Sequence, residues 1–346
     1  MVKKILDMKT RKIYAENPLI EQWRILSQYT FIDNISKYHN EKNISSNADV
    51  KEFISGCLNQ SLSYFKVANT ANLDIKPPLV YYGAANLLAG SFALLTGNLP
   101  PVTTHGLKVL DNSDRFPLSK IKLRLVAPKS GAAAIYHANF FNNSQKILSS
   151  GSEWSVEELL SSIPDLSFDL LSLFPNSKRY VIPLERVKTK DGIIERIDKD
   201  SFTDENELLI DIKSINNLKE EYLEPQVTKK YIILRKKINS KNELGIFSIS
   251  GIKYLQLPHF KNGIQNNTSQ LIYLFMSLFF LGYISRYKPE IWNVFIRTDV
   301  TGEKYIFEKL LDLSIRFFPN LVLNCVTGSN LQFTNELDLI ENLEER

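Results

Sequence analysis

The sequence predicts an α+β protein: a predominantly helical core formed by N- and C-terminal helices, with a β-rich middle section. Three observations predict it. Residues 268–292 read TSQLIYLFMSLFFLGYISRYKPEIW, and from Leu271 to Ile284 only Ser277 and Gly282 interrupt the apolar run. A helix that is apolar all round is buried on every side. Residues 77–98, PPLVYYGAANLLAGSFALLTGN, are nearly as apolar. Between these two helices the pattern shifts to short alternating runs parted by polar turns. Helices, then strands, then helices indicate α+β rather than alternating βαβ units.

Taken in order, residues 1–16 read as a basic lead-in. Asn17-Pro18 opens a helix, with proline tolerated in its first turn. Leu19, Trp23, Leu26, Thr30 and Ile35 give it an apolar stripe, and 38–47 reads as a polar loop. Asn47 or Asp49 starts a second helix through Val50, Phe53, Ile54, Cys57, Leu58, Leu62 and Phe65. Pro77-Pro78 starts the third, and Gly97 stops it. Gly83, Ala84, Ala85, Ala89 and Gly90 make this helix thin, so another can approach closely. Residues 120–126 (KIKLRLV) alternate strictly and predict a strand with one apolar face. A second strand is expected over 131–141. Ser155-x-x-Glu158 is a capping box for a helix that ends at Pro164, and a short helix follows before Pro175. Strands are expected at 179–184, 193–197, 208–212, 231–235 and 246–249, with Lys190-Asp-Gly192 as a hairpin turn. Thr268 or Ser269 caps the central helix, and Pro289 breaks it. A last helix is expected from Glu303 to Phe318, ended by Pro319.

The expected divisions are 1–102 and 257–334 as the two helical parts of the core, 103–256 as the β-rich middle section, and 335–346 as an acidic tail. The net charge of +4 from 42 basic and 38 acidic residues implies no acidic partner by itself. Two distant cysteines, Cys57 and Cys325, fit a reduced cytoplasmic compartment. The N-terminus has basic residues without an apolar stretch behind them, so no signal peptide is expected. The fourteen residues of the apolar run rise about 21 Å, short of a ~30 Å hydrocarbon core, so no membrane span is expected.

Three stretches resemble one bacterial family, the YaaC-like proteins: 78–88 (PLVYYGAANLL), 104–107 (THGL) and 284–292 (ISRYKPEIW), supported by 318–324 (FPNLVLN). Their order and spacing are also similar to that family, from the Trp23 helix to about residue 325; 178–256 matches in character alone. The resemblance implies a cytosolic protein and carries no assigned activity with it. Its motifs fall on Tyr82, Gly83, Asn86, His105, Gly106, Ser285, Arg286, Tyr287 and Trp292.

Several chemistries are missing. There is no GxxxxGK, GxGxxG, GxSxG or HExxH, and no RxxxxH of the kind helical bacterial ribonucleases use. The four histidines never pair at ligand spacing, so no metal and no cofactor is expected. Asp211-Ile-Lys213 on an expected strand, with Asp165 upstream, resembles a metal-dependent nuclease pattern. Asp-x-Lys also occurs at Asp7, Asp49 and Asp74, so the pattern discriminates little.

The candidate polar site is Tyr82, Asn86, His105, Arg286, Tyr287 and Trp292, and each has a structural reading beside its functional one. His105 is a turn histidine or a general base. Tyr82 and Asn86, four apart on one helix face, are polar glue or ligand contacts. Arg286 ties the central helix to carbonyls or to a carboxylate such as Glu290, or it binds an anion. Tyr287 and Trp292 are expected to pack against it. Lys120, Lys122 and Arg124 form a candidate nucleic-acid surface, against the plainer reading of a solvated strand face; no aromatic residue interleaves them for stacking. The leading functional expectation is a non-catalytic interaction or regulatory component of a bacterial multi-protein system. Its partner would be another protein or a second copy, with weak nucleic-acid contact. The alternative is an enzyme acting on nucleic acid or a nucleotide, with a pocket around His105 and Arg286.

Overall fold

A computed structural model describes residues 9–110, 116–140, 148, 150–190, 192–199, 202, 205–215, 218–237, 245–261, 264–265, 268–299 and 301–334. The expected acidic tail and the first eight residues lie outside the described residues.

The first element among the described residues is β1 (Lys9–Tyr14), a strand where a basic lead-in is expected. Its partner lies at the other end of the chain, which is why local sequence does not reveal it. α1 (Pro18–Leu26) is capped by Asn17, whose side-chain oxygen accepts from the Leu19 and Ile20 N–H groups. A 3-10 turn at Ser27–Thr30 then separates it from α2 (Ile32–Lys42). The expected single helix to Ile35 is thus two, and the expected loop is helical through Lys42. The polar residues there have tertiary partners. The Tyr38 hydroxyl donates to the Val326 carbonyl (3.0 Å), and the buried His39 ring sits between Ser46 and the Leu94 carbonyl. α3 (Ala48–Ala68), capped by Asn47, and α4 (Lys76–Thr96), ended by Gly97 at φ +72°, lie where expected. They pack very closely. A Cβ on Gly83 would stand 3.0 Å from the Phe65 ring, and one on Gly90 3.0 Å from Cys57 Cβ.

Next come β2 (Leu107–Leu110), β3 (Lys122–Leu125), α5 (Ala132–Phe140) and β4 (Glu153–Ser155), the three strands forming one antiparallel sheet in the order β2-β3-β4. The strand expected over 120–126 is shorter, because Lys120 belongs to a 3-10 turn. Buried Glu303 holds that turn by accepting from the Leu118 and Ser119 N–H groups (2.9 and 2.6 Å). The strand expected over 131–141 is a helix over its described part. Three successive alanines favour helix, and burial on nearly all sides hides the helical period. α6 (Val156–Ser161) carries the expected capping box, and α7 (Pro164–Leu173) starts at the proline that ends it.

β5 (Val181–Pro183), β6 (Glu185–Thr189) and β7 (Gly192–Asp198) follow, with Thr189 opposite Gly192 as the hairpin signal predicts. α8 (Glu205–Lys213) replaces the strand expected at 208–212. Leu208 and Ile212, one turn apart, are buried while Ile210 is exposed, and so short an apolar run fits either period. α9 (Leu218–Glu221), β8 (Gln226–Val227), β9 (Tyr231–Arg235), β10 (Ile246–Phe247), β11 (Lys253–Gln256), β12 (Phe260–Lys261) and β13 (Ile264–Gln265) complete this part. Its largest sheet runs β6-β7-β9-β8.

α10 (Gln270–Tyr287) is the central helix. Ser269 caps it, and every residue from Gln270 to Gly282 is buried. α11 (Pro289–Thr298) restarts after the proline break. α12 (Glu303–Thr327) runs through Pro319, where the sequence predicts an end. Tertiary bonds hold the extra turns. Asn320 accepts from Gln22 and donates to the Leu331 carbonyl, and Asn324 accepts from the Leu331 N–H. β14 (Ser329–Thr334) returns to pair with β1 in parallel.

One hydrophobic core joins α3, α4, α10 and α12 with residues 107–170; a smaller one lies within 182–257. α4 and α12 are long and apolar enough to cross a membrane by composition, and 61% and 72% of their apolar windows are buried in this fold.

Candidate functional site

The site forms where α4 crosses the end of α10. Gly282 makes the crossing possible, since a Cβ there would lie 3.2 Å from Tyr81 Cβ. Tyr81 and Tyr82 therefore lie beside the last turn of α10. Arg286, one turn beyond Gly282, folds back. Its Nε donates to the Gly282 carbonyl (2.7 Å), and its Nη1 donates to the Tyr82 hydroxyl. The guanidinium carbon lies 4.9 Å from the Tyr82 ring centroid, 5.0 Å from that of Tyr287 and 5.8 Å from that of Tyr81. Each such contact contributes about 0.5–2 kcal/mol according to its burial. Tyr64 of α3 extends the aromatic wall, 5.9 Å from Tyr82.

His105 comes from the loop between α4 and β2. Gly106 has φ +73°, and its Cα faces Gly131 so closely that neither residue has room for a Cβ. The Thr104 and His105 carbonyls accept from the Ala132 and Ala133 N–H groups at the start of α5 (2.9 and 3.4 Å). This fixes the imidazole edge-on to Tyr81 and beside Phe279, with ring centroids 5.6 and 5.5 Å away. Nδ1 lies 2.6 Å from the Tyr81 hydroxyl.

The protonation states follow from these neighbours. Burial raises the Tyr81 phenol well above its ordinary range, so it stays protonated. Nδ1 is the one hydrogen-bond partner of that hydroxyl among the described residues. A buried O–H needs an acceptor, so Tyr81 donates to Nδ1 and the imidazole proton sits on Nε2. Much of His105 faces solvent, yet its inner edge is desolvated. That desolvation, and then the charge of Arg286, lower its pKa and keep the ring neutral.

Arg286 has no carboxylate within ion-pair distance among the described residues; the expected bond to Glu290 does not form. Its remaining Nη donors, the Tyr82 O–H and the His105 Nε2–H are all donors.

Four of the six candidate residues meet here: Tyr82, His105, Arg286 and Tyr287. Asn86 does not join them; it donates to the Tyr82 carbonyl one turn back on its own helix (2.9 Å). Trp292 does not pack on Arg286. It is buried on α11 and stacks on Phe295, with centroids 5.5 Å apart. Tyr81 and Phe279 belong to the site although sequence reasoning passes over them, because both read as ordinary residues of apolar helices. The signal available was Tyr81-Tyr82 beside Gly83, adjacent aromatics on a helix thin enough for close crossing.

The basic residues lie elsewhere. Lys120 pairs with Glu157, and Arg124 with Glu153 (2.6 Å), while Lys122 is exposed on β3. Asp211 sits on α8 and pairs with Lys178 (2.9 Å), and Asp165 accepts from the Ile249 N–H (3.1 Å). They do not form the adjacent-strand pair of a nuclease. No group of three His, Cys, Asp or Glu among the described residues is placed to hold a metal. His259 Nε2 lies 2.7 Å from Ser162 Oγ, but both residues are buried and the imidazole stacks on Tyr180 at 3.6 Å. This is core hydrogen bonding, not an accessible nucleophile.

Fold and corner together define the class: an α+β protein whose central helix ends in a tyrosine-walled arginine. The family model described as YaaC-like Protein matches residues 14–326. The chain belongs to the YaaC-like family. Neither the curated proteins nor the solved structures contain a match to it.

Proposed function

We propose that the chain is a non-catalytic recognition component of a bacterial multi-protein system, working in the cytoplasm, and that the corner at Arg286 holds an anionic group of its partner. One observation carries this reading. Three motifs far apart in sequence, at 78–88, 104–107 and 284–292, meet around a half-buried cation with no carboxylate partner among the described residues. The Gly282 carbonyl and the Tyr82 hydroxyl take one donor each, and the outer end of the fork keeps donors that an anionic group can take up. The aromatic walls add area for recognition without adding a nucleophile.

A second reading has its own support. A phenol that fixes a neutral imidazole, leaving the other ring nitrogen to carry a proton, also suits general acid–base work. On that reading the protein is an enzyme acting on nucleic acid or a nucleotide at His105 and Arg286.

The experiment is affinity purification of the wild type and of Arg286→Gln from native cells, with mass spectrometry of bound proteins and small molecules. A partner or ligand present with the wild type and absent from the folded variant supports the proposal. Identical inventories from two folded proteins count against it. Turnover of a co-purified nucleotide or nucleic acid that His105→Gln abolishes would favour the second reading instead.

A further inference from the structure

Resting on that reading, we infer that the anion held at this corner carries a single negative charge and is a carboxylate, rather than a phosphate monoester.

The charge count comes first. Arg286 supplies positive charge to the corner, and Tyr81, Tyr82 and Tyr287 flank it. His105 is neutral, and its Nδ1 is engaged by Tyr81. For His105 and Tyr81 alike, the charged side chain that bears on their titration is Arg286. A singly charged anion is neutralised by one guanidinium. A dianion would leave one negative charge unmatched beside the buried Tyr81 ring and the partly buried Tyr82 ring, and uncompensated charge in such surroundings is costly.

The donor geometry fits a carboxylate, and the charge count is what separates it from a phosphate monoester. Nε is bonded to the Gly282 carbonyl, which locks the guanidinium plane, and Nη1 has one bond to Tyr82. The Nη1/Nη2 end retains unpaired donors, and that planar fork matches the two oxygens of a carboxylate. The Tyr82 oxygen already accepts from Nη1, so its own proton is available to the same ligand.

The test uses the full-length chain labelled on histidine with carbon-13, its His105 ring signal assigned with His105→Gln. At about pH 8 a phosphate monoester is a dianion, its second pKa being ~6. The probes are benzoate, its neutral analogue benzamide, phenyl phosphate, and acetyl-glycyl-phenylalanine with a free or an amidated end. Benzoate or the free-ended dipeptide is expected to shift the His105 signal saturably. Benzamide and the amidated dipeptide are expected not to, and phenyl phosphate to bind at least about fivefold more weakly. Arg286→Gln is expected to abolish the response. Both binding probes are carboxylates, so either order of affinity supports the inference, and the tighter one names the source as a small acid or a chain end. Tighter binding of phenyl phosphate overturns the inference, as does benzoate binding that survives Arg286→Gln. If no carboxylate binds while Arg286→Gln still loses the co-purified partner, this inference fails and the recognition reading stands. If benzoate binds at Arg286 but the variant keeps every partner, the recognition reading fails and this inference stands.

Discussion

Arg286 on α10 donates to the hydroxyl of Tyr82 on α4, a residue 204 positions earlier in the chain. The bond joins the end of the central helix to the thin helix it crosses, and it leaves the outer end of the guanidinium free. Tyr82→Phe separates the hydroxyl from the ring. It should cost about 1.5–3 kcal/mol for one charge-assisted hydrogen bond, while Tyr82→Ala, which also removes the wall shared with Tyr64, should cost more. Urea denaturation of both variants checks the order; equal losses would mean that the ring contributes nothing.

The contact of Gly106 with Gly131 sets where His105 stands. A Cβ on Gly131 would lie 2.4 Å from the Gly106 Cα, a backbone atom that cannot step aside. Gly131→Ala should therefore cost about 2–3 kcal/mol, at the upper end of overpacking effects, and should displace the His105 ring signal. Gly56→Ala is the control. It lies inside α3 with nothing within 4 Å of its added Cβ, and it should gain up to about 1 kcal/mol from helix propensity.

Burial pushes the His259 imidazole down to about 3. The folded state thus binds the proton more weakly than the unfolded chain, whose histidine titrates near ~6.5. Above that pH neither state is protonated and the group does not affect stability. As pH falls from there toward 3 the unfolded state takes up the proton first, and stability drops by up to about 1.4 kcal/mol per pH unit. Desolvation lowers His39 and His105 as well, so both act in the same direction. His259→Phe, which keeps a ring against Tyr180, should flatten the acid limb of stability against pH even if it lowers the plateau. An unchanged slope would show that His259 does not carry the acid limb.

Glu157 and Glu153 pair with Lys120 and Arg124 and offset part of their charge toward a phosphate backbone. Any nucleic-acid binding by this strand face should be weak, and it should fall steeply with salt. Reversal to glutamate would set carboxylate against carboxylate, so Gln at 120, 122 and 124 is the cleaner change. Binding that resists salt or survives the triple Gln variant, measured by fluorescence anisotropy, would remove this surface from consideration.

The large helices were legible because their signals are local. Asn17, Asn47 and Ser269 cap, Gly97 stops, and the run 271–284 has no polar face to place outside. Where the sequence misled, the local period was masked or the deciding contacts were distant. α5 and α8 look like strands because burial or shortness hides their period. α12 passes Pro319 because Gln22 and Leu331 hold Asn320, and β1 exists because β14 pairs with it. The site was half legible for the same reason. Motif residues named Tyr82, His105, Arg286 and Tyr287. Only the crossing at Gly282 shows that Tyr81 links two of them, while Trp292, near in sequence, turns into the core.

The most direct test of the central claim is Arg286→Lys, with thermal stability and partner or ligand retention measured on the same preparations. Lysine keeps the charge and loses the planar fork. It should cost about 1.5–3 kcal/mol, the worth of one of the two charge-assisted hydrogen bonds that Arg286 donates, so the protein stays folded. The account predicts that this folded variant has lost its partner or ligand. Lysine that retains both stability and binding, or a variant that loses binding only because it unfolds, would contradict it.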